Sequence, residues 1–202
     1  MNYYTYIISR DFGFAPNPFG QHCTLATCKP IIRKKAQIGD WVFGISRKHL
    51  GNKLICAMQI DKKITFNEYW KSPEFQYKKP VLNGSLKQMY GDNIYFFDEK
   101  TKKWHQENSH HSLDNGEINE HNLKRDTSGE FVIISEHFFY FGKNMIDIPD
   151  EIKENFIIGR AFKKVDEKAA IKLIEFLTNK YSYGLLGEPN SFEDFQRYDG
   201  VS

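Results

Sequence analysis

Residues 11–30 restrict the folds open to this chain more than any other stretch. Gly13, Pro16, Asn17, Pro18, Gly20 and Pro30 interrupt the segment too often for a helix or a central strand. It therefore reads as a long loop, the kind of segment that carries function in compact domains. It follows residues 3–9, a run of aromatic and β-branched side chains that predicts an opening strand. A strand that leads into such a loop does not start a regular strand–helix–strand alternation, which argues for an α+β chain.

The remaining pattern fills in an α+β chain. A short helix is expected over 31–37, with Ile32 and Ala36 facing inward at i,i+4. Gly39-Asp40 then turns the chain into a strand at Trp41–Ile45, and the basic connection 46–53 leads to a second strand at 54–60. Residues 64–70 show helical spacing at Phe66, Tyr69 and Trp70, and further strands are expected at 94–97, 130–135 and 138–141. Residues 98–129 are polar, are punctuated by Asn115-Gly116, and read as an exposed excursion in which His105, His110 and His111 are solvated. Asp166 caps the clearest helix, whose stripe is Ala170, Ile171, Ile174, Leu177 and Tyr181, with Gly184 as its stop. The expected architecture is a single domain over residues 1–202, with a curved or barrel-like mixed sheet flanked by helices.

The net charge of +2 hides an asymmetry. Residues 1–90 carry an excess of nine positive charges, and residues 91–202 an excess of seven negative ones. A basic half suits a polyanionic partner, because Lys and Arg release counterions from phosphates. Three cysteines cannot pair completely, which fits a reducing cytoplasm. Residues 1–14 lack a basic start, an apolar run and a small-residue cleavage site, so no secretory leader is expected. No apolar run reaches membrane-spanning length, and no membrane partner is expected. The phosphate loop, dinucleotide fingerprint, serine-hydrolase elbow and His-Glu-x-x-His motifs are all missing, which removes the commonest NTPase, NAD-dependent, hydrolase and zinc-protease readings.

The helix, the Gly39-Asp40-Trp41-Val42-Phe43-Gly44 turn and strand, and the strand Leu54-Ile55-Cys56-Ala57-Met58-Gln59-Ile60 resemble the core of the PUA-like superfamily, including its EVE and YTH branches. That resemblance covers roughly residues 31–70 and implies a nucleobase, often a modified one, taken into an aromatic pocket. A closer likeness extends further. Arg10-Asp11-Phe12-Gly13-Phe14-Ala15-Pro16-Asn17-Pro18-Phe19, Cys23-Thr24-Leu25-Ala26-Thr27-Cys28-Lys29-Pro30, Gly39-Asp40-Trp41 and His137-Phe138-Phe139-Tyr140-Phe141-Gly142 resemble the type 2 nucleotide-modification-associated domain family. The family is found in bacteria and phages. The resemblance implies a setting in DNA base modification, with no catalytic residue to carry over.

Physical chemistry proposes the site residues. Phe12, Phe14, Phe19 and Trp41 offer stacking faces, while Asn17 and Thr24 offer donors and acceptors for a base edge. Arg10, Lys29, Arg33, Lys34, Lys35, Arg47 and Lys48 form the expected phosphate-facing set. The favoured expectation is recognition of a base in DNA or RNA, or of a free nucleotide, in a pocket made by Trp41 and the 11–30 loop. The alternatives are an enzyme that modifies or demodifies a base, and a pocketless partner of a base-modification enzyme. Catalytic candidates are Asp11, Cys23 and Cys28, with His22 or His137 as base and Asp11 as orienter. Zinc on His22, Cys23, Cys28 and His110-His111 is disfavoured by the loose Cys-x4-Cys spacing and the lack of a second pair, so no metal or cofactor is expected.

Overall fold

The computed structural model describes residues 1–159 and 161–200; residues 201–202 of the expected domain lie outside the described residues. In chain order the elements are β1 (Tyr3–Ile7), β2 (Cys23–Leu25), α1 (Pro30–Lys35), β3 (Trp41–Ile45), β4 (Leu54–Gln59), β5 (Lys62–Thr65), α2 (Phe66–Lys71) and α3 (Leu86–Met89). There follow β6 (Tyr95–Asp98), β7 (Lys103–Gln106), α4 (Glu120–Thr127), β8 (Phe131–Ser135), β9 (Phe138–Tyr140), α5 (Asp150–Lys153), β10 (Phe162–Lys164), α6 (Glu167–Lys180) and β11 (Gly184–Leu185). This is a mixed α+β architecture.

The main sheet has the order β10-β1-β3-β4-β9-β11, with a second sheet β2-β8-β5 and a β6-β7 hairpin. The main sheet ends at β10 and β11 and stays open, so the barrel-like expectation is not met. β1 and β3 are parallel, with Tyr3 opposite Trp41 and Ile7 opposite Ile45. A parallel pair needs a long crossover, and here the crossover is the 11–30 loop, β2 and α1. The loop is less irregular than its sequence suggests, because β2 within it pairs antiparallel with β8.

Alternation along the strands sorts the side chains onto two faces. Trp41, Phe43, Ala57 and Phe139 face α6, which buries Ala169, Ala170, Leu173 and Leu177 against them. Tyr4, Tyr6, Val42, Cys56, Met58 and Tyr140 face the crossover. Each fully buried aliphatic or aromatic side chain contributes about 1.5–3 kcal/mol. Asp166 caps α6 by accepting from the Ala169 N–H at 3.1 Å. Ile171 is 41% exposed, so Leu173 and not Ile171 belongs to the stripe. Gly184 opens β11 beside Phe139 rather than ending the helix, which already stops at Lys180. The expected helix over 64–70 divides into β5 and α2 at Thr65, whose hydroxyl accepts from Glu68 N–H while the Glu68 carboxylate accepts from Thr65 N–H. Among the described residues no helix is long and apolar enough to cross a membrane.

Candidate active site

The crossover places a cleft of about 290 Å³ on the sheet face opposite α6. Its walls come from the end of β1 and the loop after it (Tyr6, Ile8, Arg10, Phe12, Phe14), from Cys28 and Lys29 before α1, and from Arg47 after β3. His110, His111, Arg125 of α4 and Tyr198 complete it. Among the described residues, four of the lining side chains are Arg or Lys, and none is a carboxylate.

Cys28 sits at a constrained backbone position. Its φ is 54° and that of Lys29 is 40°, left-handed values that non-glycine residues rarely adopt. Two neighbours hold this conformation. Asp126 Oδ1 accepts from the Cys28 N–H at 2.9 Å, and Arg33 Nε donates to the Cys28 carbonyl at 2.8 Å. Arg33 is fully buried and also donates to the carbonyls of Phe131 and Asp126. Gly129 makes room for it, since a Cβ there would lie 2.6 Å from the guanidinium carbon.

The same Asp126 orients a histidine. His111 Nδ1 donates to Asp126 Oδ2 at 2.7 Å, which turns Nε2 toward Cys28 Sγ, 3.9 Å away. Tyr95 OH and Arg125 Nε donate to the remaining lone pairs of the carboxylate at 3.0 and 3.1 Å. Burial raises the Asp126 carboxyl, but the His111 charge and hydrogen bond, with Arg125 and Arg33, hold it well below the usual carboxylate range. Burial lowers His111, but the charge and hydrogen bond of Asp126 carry it up to about 9. Burial likewise raises the Cys28 thiol, and the hydrogen bond and charge of His111 more than reverse this, leaving it below its ordinary value. The arrangement sets a thiol whose ionisation is favoured beside an imidazole whose protonated form is favoured, a nucleophile paired with a proton donor. His110 differs from its neighbour: burial and the His111 charge drive it down to about 3, so it is neutral. It lies between the rings of Phe12 and Phe14, each 4.9 Å away. Tyr198 lies under Arg10 and Arg125, whose guanidinium carbons are 5.9 and 5.6 Å from the ring centroid.

Of the residues singled out from sequence, the cleft brings together Arg10, Phe12, Phe14, Cys28, Lys29 and Arg47. Trp41 does not join them; it is buried against α6 and stacked 6.1 Å from Phe43. Asn17 is spent inside the protein, donating to the Tyr90 carbonyl and accepting from Lys78 at 2.6 Å. Thr24 donates to Asp92 at 2.7 Å, and Phe19 packs on Phe192. Asp11 is buried, accepts from Tyr140 and Asn190, and lies outside the cleft. Cys23 is wholly buried in β2. Arg33 braces the Cys28 loop from within, Lys34 pairs with Glu130, and Lys35 and Lys48 are exposed away from the cleft lining. His110 and His111 are buried, not solvated, because β6, α4 and the 196–198 stretch enclose them. His22 binds Tyr77 and Glu74, and His137 binds Asp61, so the histidine that meets the thiol is His111. His111, Asp126, Arg125 and Tyr198 carry no sequence spacing that would mark them. The His110-His111 doublet was the one available signal.

A second cluster lies elsewhere. His22, Glu74 and Glu136 bring donor atoms within 4.8 Å of one another. Lys62 Nζ already lies 2.7 Å from Glu74 and 3.3 Å from Glu136, so an ammonium serves these carboxylates.

No curated protein and no solved structure matches this chain. With its crossover, its cationic cleft and the N-terminal motifs that build both, the chain is matched over residues 1–196 by the model for nucleotide modification associated domain 2, and it belongs to that family.

Proposed function

We propose that the cleft is a nucleotide site, and that this protein handles a nucleotide, free or within a DNA or RNA strand, in nucleotide modification. The observation that carries the reading is the lining itself: Arg10, Lys29, Arg47 and Arg125 beside Phe12, Phe14, His110 and Tyr198, with no carboxylate side chain among the described residues that line it. Arg10 and Arg47 are exposed at the rim, where guanidinium groups can take a phosphate in two-point contact. The aromatic groups offer faces for a base deeper in the cleft. The resemblance of residues 31–70 to base-binding PUA-like proteins favours the same division, although the base would meet Phe14 and His110 rather than Trp41. The family's association with nucleotide modification supports the class of ligand.

Calorimetry tests the reading with adenosine and cytidine monophosphates, the matching nucleosides and a short single-stranded oligonucleotide. The monophosphates should bind at least tenfold more tightly than the nucleosides. Arg10→Ala or Arg47→Ala should weaken the monophosphates about 10-fold to 100-fold, as expected for hydrogen bonds to a charged group. Equal affinity for nucleoside and nucleotide, or indifference to both substitutions, would remove phosphate from the site. An oligonucleotide that binds more tightly than the monophosphates would place the nucleotide in a strand.

A further inference from the structure

Resting on the nucleotide reading, we propose that Cys28, His111 and Asp126 form a nucleophilic triad that cleaves an amide or ester carried by the bound nucleotide, through a thioester on Cys28. Three observations converge. Cys28 lines the cleft beside the cationic groups, whereas Cys23 and Cys56 are buried. His111 Nε2 faces its sulfur at 3.9 Å, a distance typical of a triad that tightens when substrate binds. Asp126 fixes both partners, taking the Cys28 N–H on one oxygen and His111 Nδ1 on the other. The nucleophile thus sits on a strained left-handed turn whose geometry is set by the same carboxylate that sets the histidine. Among the described residues, the charged and titratable groups around Cys28 include His111, Asp126 and Arg125 from the α4 side, Arg33 from α1, Lys29 next in sequence and Tyr6 from β1. The positive ones outnumber Asp126, which favours the anionic sulfur.

One acid–base group beside one thiolate is the equipment of acyl transfer, because the same imidazole serves both halves of the reaction. In the first half Cys28 Sγ forms a bond to the carbonyl carbon. The bond from that carbon to nitrogen or oxygen breaks, and the His111 Nε2 proton passes to the leaving atom. In the second half neutral His111 takes a proton from water, the resulting hydroxide adds to the thioester carbon, and the carbon–sulfur bond breaks. This returns the thiolate and imidazolium and releases a carboxylic acid. The sum is the amide or ester plus water giving an acid plus an amine or alcohol, with no other reactant.

The intact protein and p-nitrophenyl acetate provide the test. A burst of nitrophenolate stoichiometric with protein is expected, together with an acetyl group on Cys28 by mass spectrometry. The burst should vanish in Cys28→Ser and be slowed about 10²-fold to 10⁴-fold in His111→Gln. Independently of whether His111→Gln folds, the rate at which iodoacetamide labels Cys28 of the unaltered protein should level off at a lower pH than that of a free thiol, with Cys23 and Cys56 as buried references. A burst that survives Cys28→Ser, or a labelling rate that climbs with pH like that of a free thiol, would overturn the triad. Adenosine monophosphate should slow both reactions. Loss of the burst with nucleotide binding intact defeats the triad, whereas an intact burst without nucleotide binding defeats the nucleotide site.

Discussion

Asp126 takes four donors on two oxygens, from Cys28, Arg125, His111 and Tyr95, and so ties a loop, a helix and a hairpin to one buried charge. Asp126→Asn keeps the shape but removes the charge that offsets His111 and Arg125. It should cost about 3–5 kcal/mol, the usual result of breaking a buried pair on one side, as read by urea unfolding near neutral pH. The pH dependence carries a sharper signature. His111 rises from 6.5 to about 9 on folding, so its contribution to stability is full below pH 6.5 and is lost as pH climbs through 9. Cys28 falls below 9.0 on folding, so its contribution is present above pH 9 and is lost as pH drops through the folded value. Between the folded Cys28 value and pH 9 these trends oppose each other, because folding favours the proton on His111 and disfavours it on Cys28. The unaltered protein should therefore lose less stability from about pH 7 to about pH 8.5 than Cys28→Ser does. Parallel unfolding curves for the two proteins would show an uncharged thiol.

At the scale of elements, the site is what the crossover between β1 and β3 makes of the space above the sheet. Strand alternation at Trp41–Ile45 was readable in advance: Trp41 and Phe43 share one face and Val42 takes the other. So was the Asp166 cap of α6, because it depends on neighbours within a few residues. The Thr65 cap is equally local, in a Thr-x-x-Glu pattern at the start of α2, yet the helical spacing over 64–70 concealed it. His111 was not legible. Its burial depends on Asp126, on Cys28 at 83 residues' separation and on the 190–198 stretch, so a polar sequence became interior only through its partners. Asn17 misled for the same reason, since its amide is taken by Lys78 and Tyr90. The 190–198 stretch is held by Asn190 N–H and Ser191 N–H on Asp11, and carries Tyr198 to the cleft. Tyr198→Ala should leave the fold intact and weaken adenosine monophosphate by about 1–3 kcal/mol, the worth of one stacking face, measured by calorimetry. An unchanged affinity would take Tyr198 out of the base contact.

For the molecule as a whole, the division of charge along the sequence does not survive folding. Arg10, Lys29 and Arg47 come from the basic half and Arg125 from the acidic one, yet all four line one cleft. Nucleotide affinity should therefore fall steadily as salt is raised, and more shallowly in Arg47→Ala, since screening acts on exposed charge. Trp41, on the far face of the sheet, supplies the complementary control. Its replacement by Ala should cost about 3–5 kcal/mol of stability, and the folded fraction should bind nucleotide as before, as read by thermal unfolding and calorimetry on one sample. A loss of affinity in folded protein would link the two faces. The separation of 98 residues between Cys28 and Asp126 reaches beyond stability. While the chain is still being synthesised its sulfur is an ordinary, sluggish thiol, for the groups that sharpen it have yet to arrive. On the proposed triad, reactivity comes with folding, and a half-made or misassembled copy lacks it.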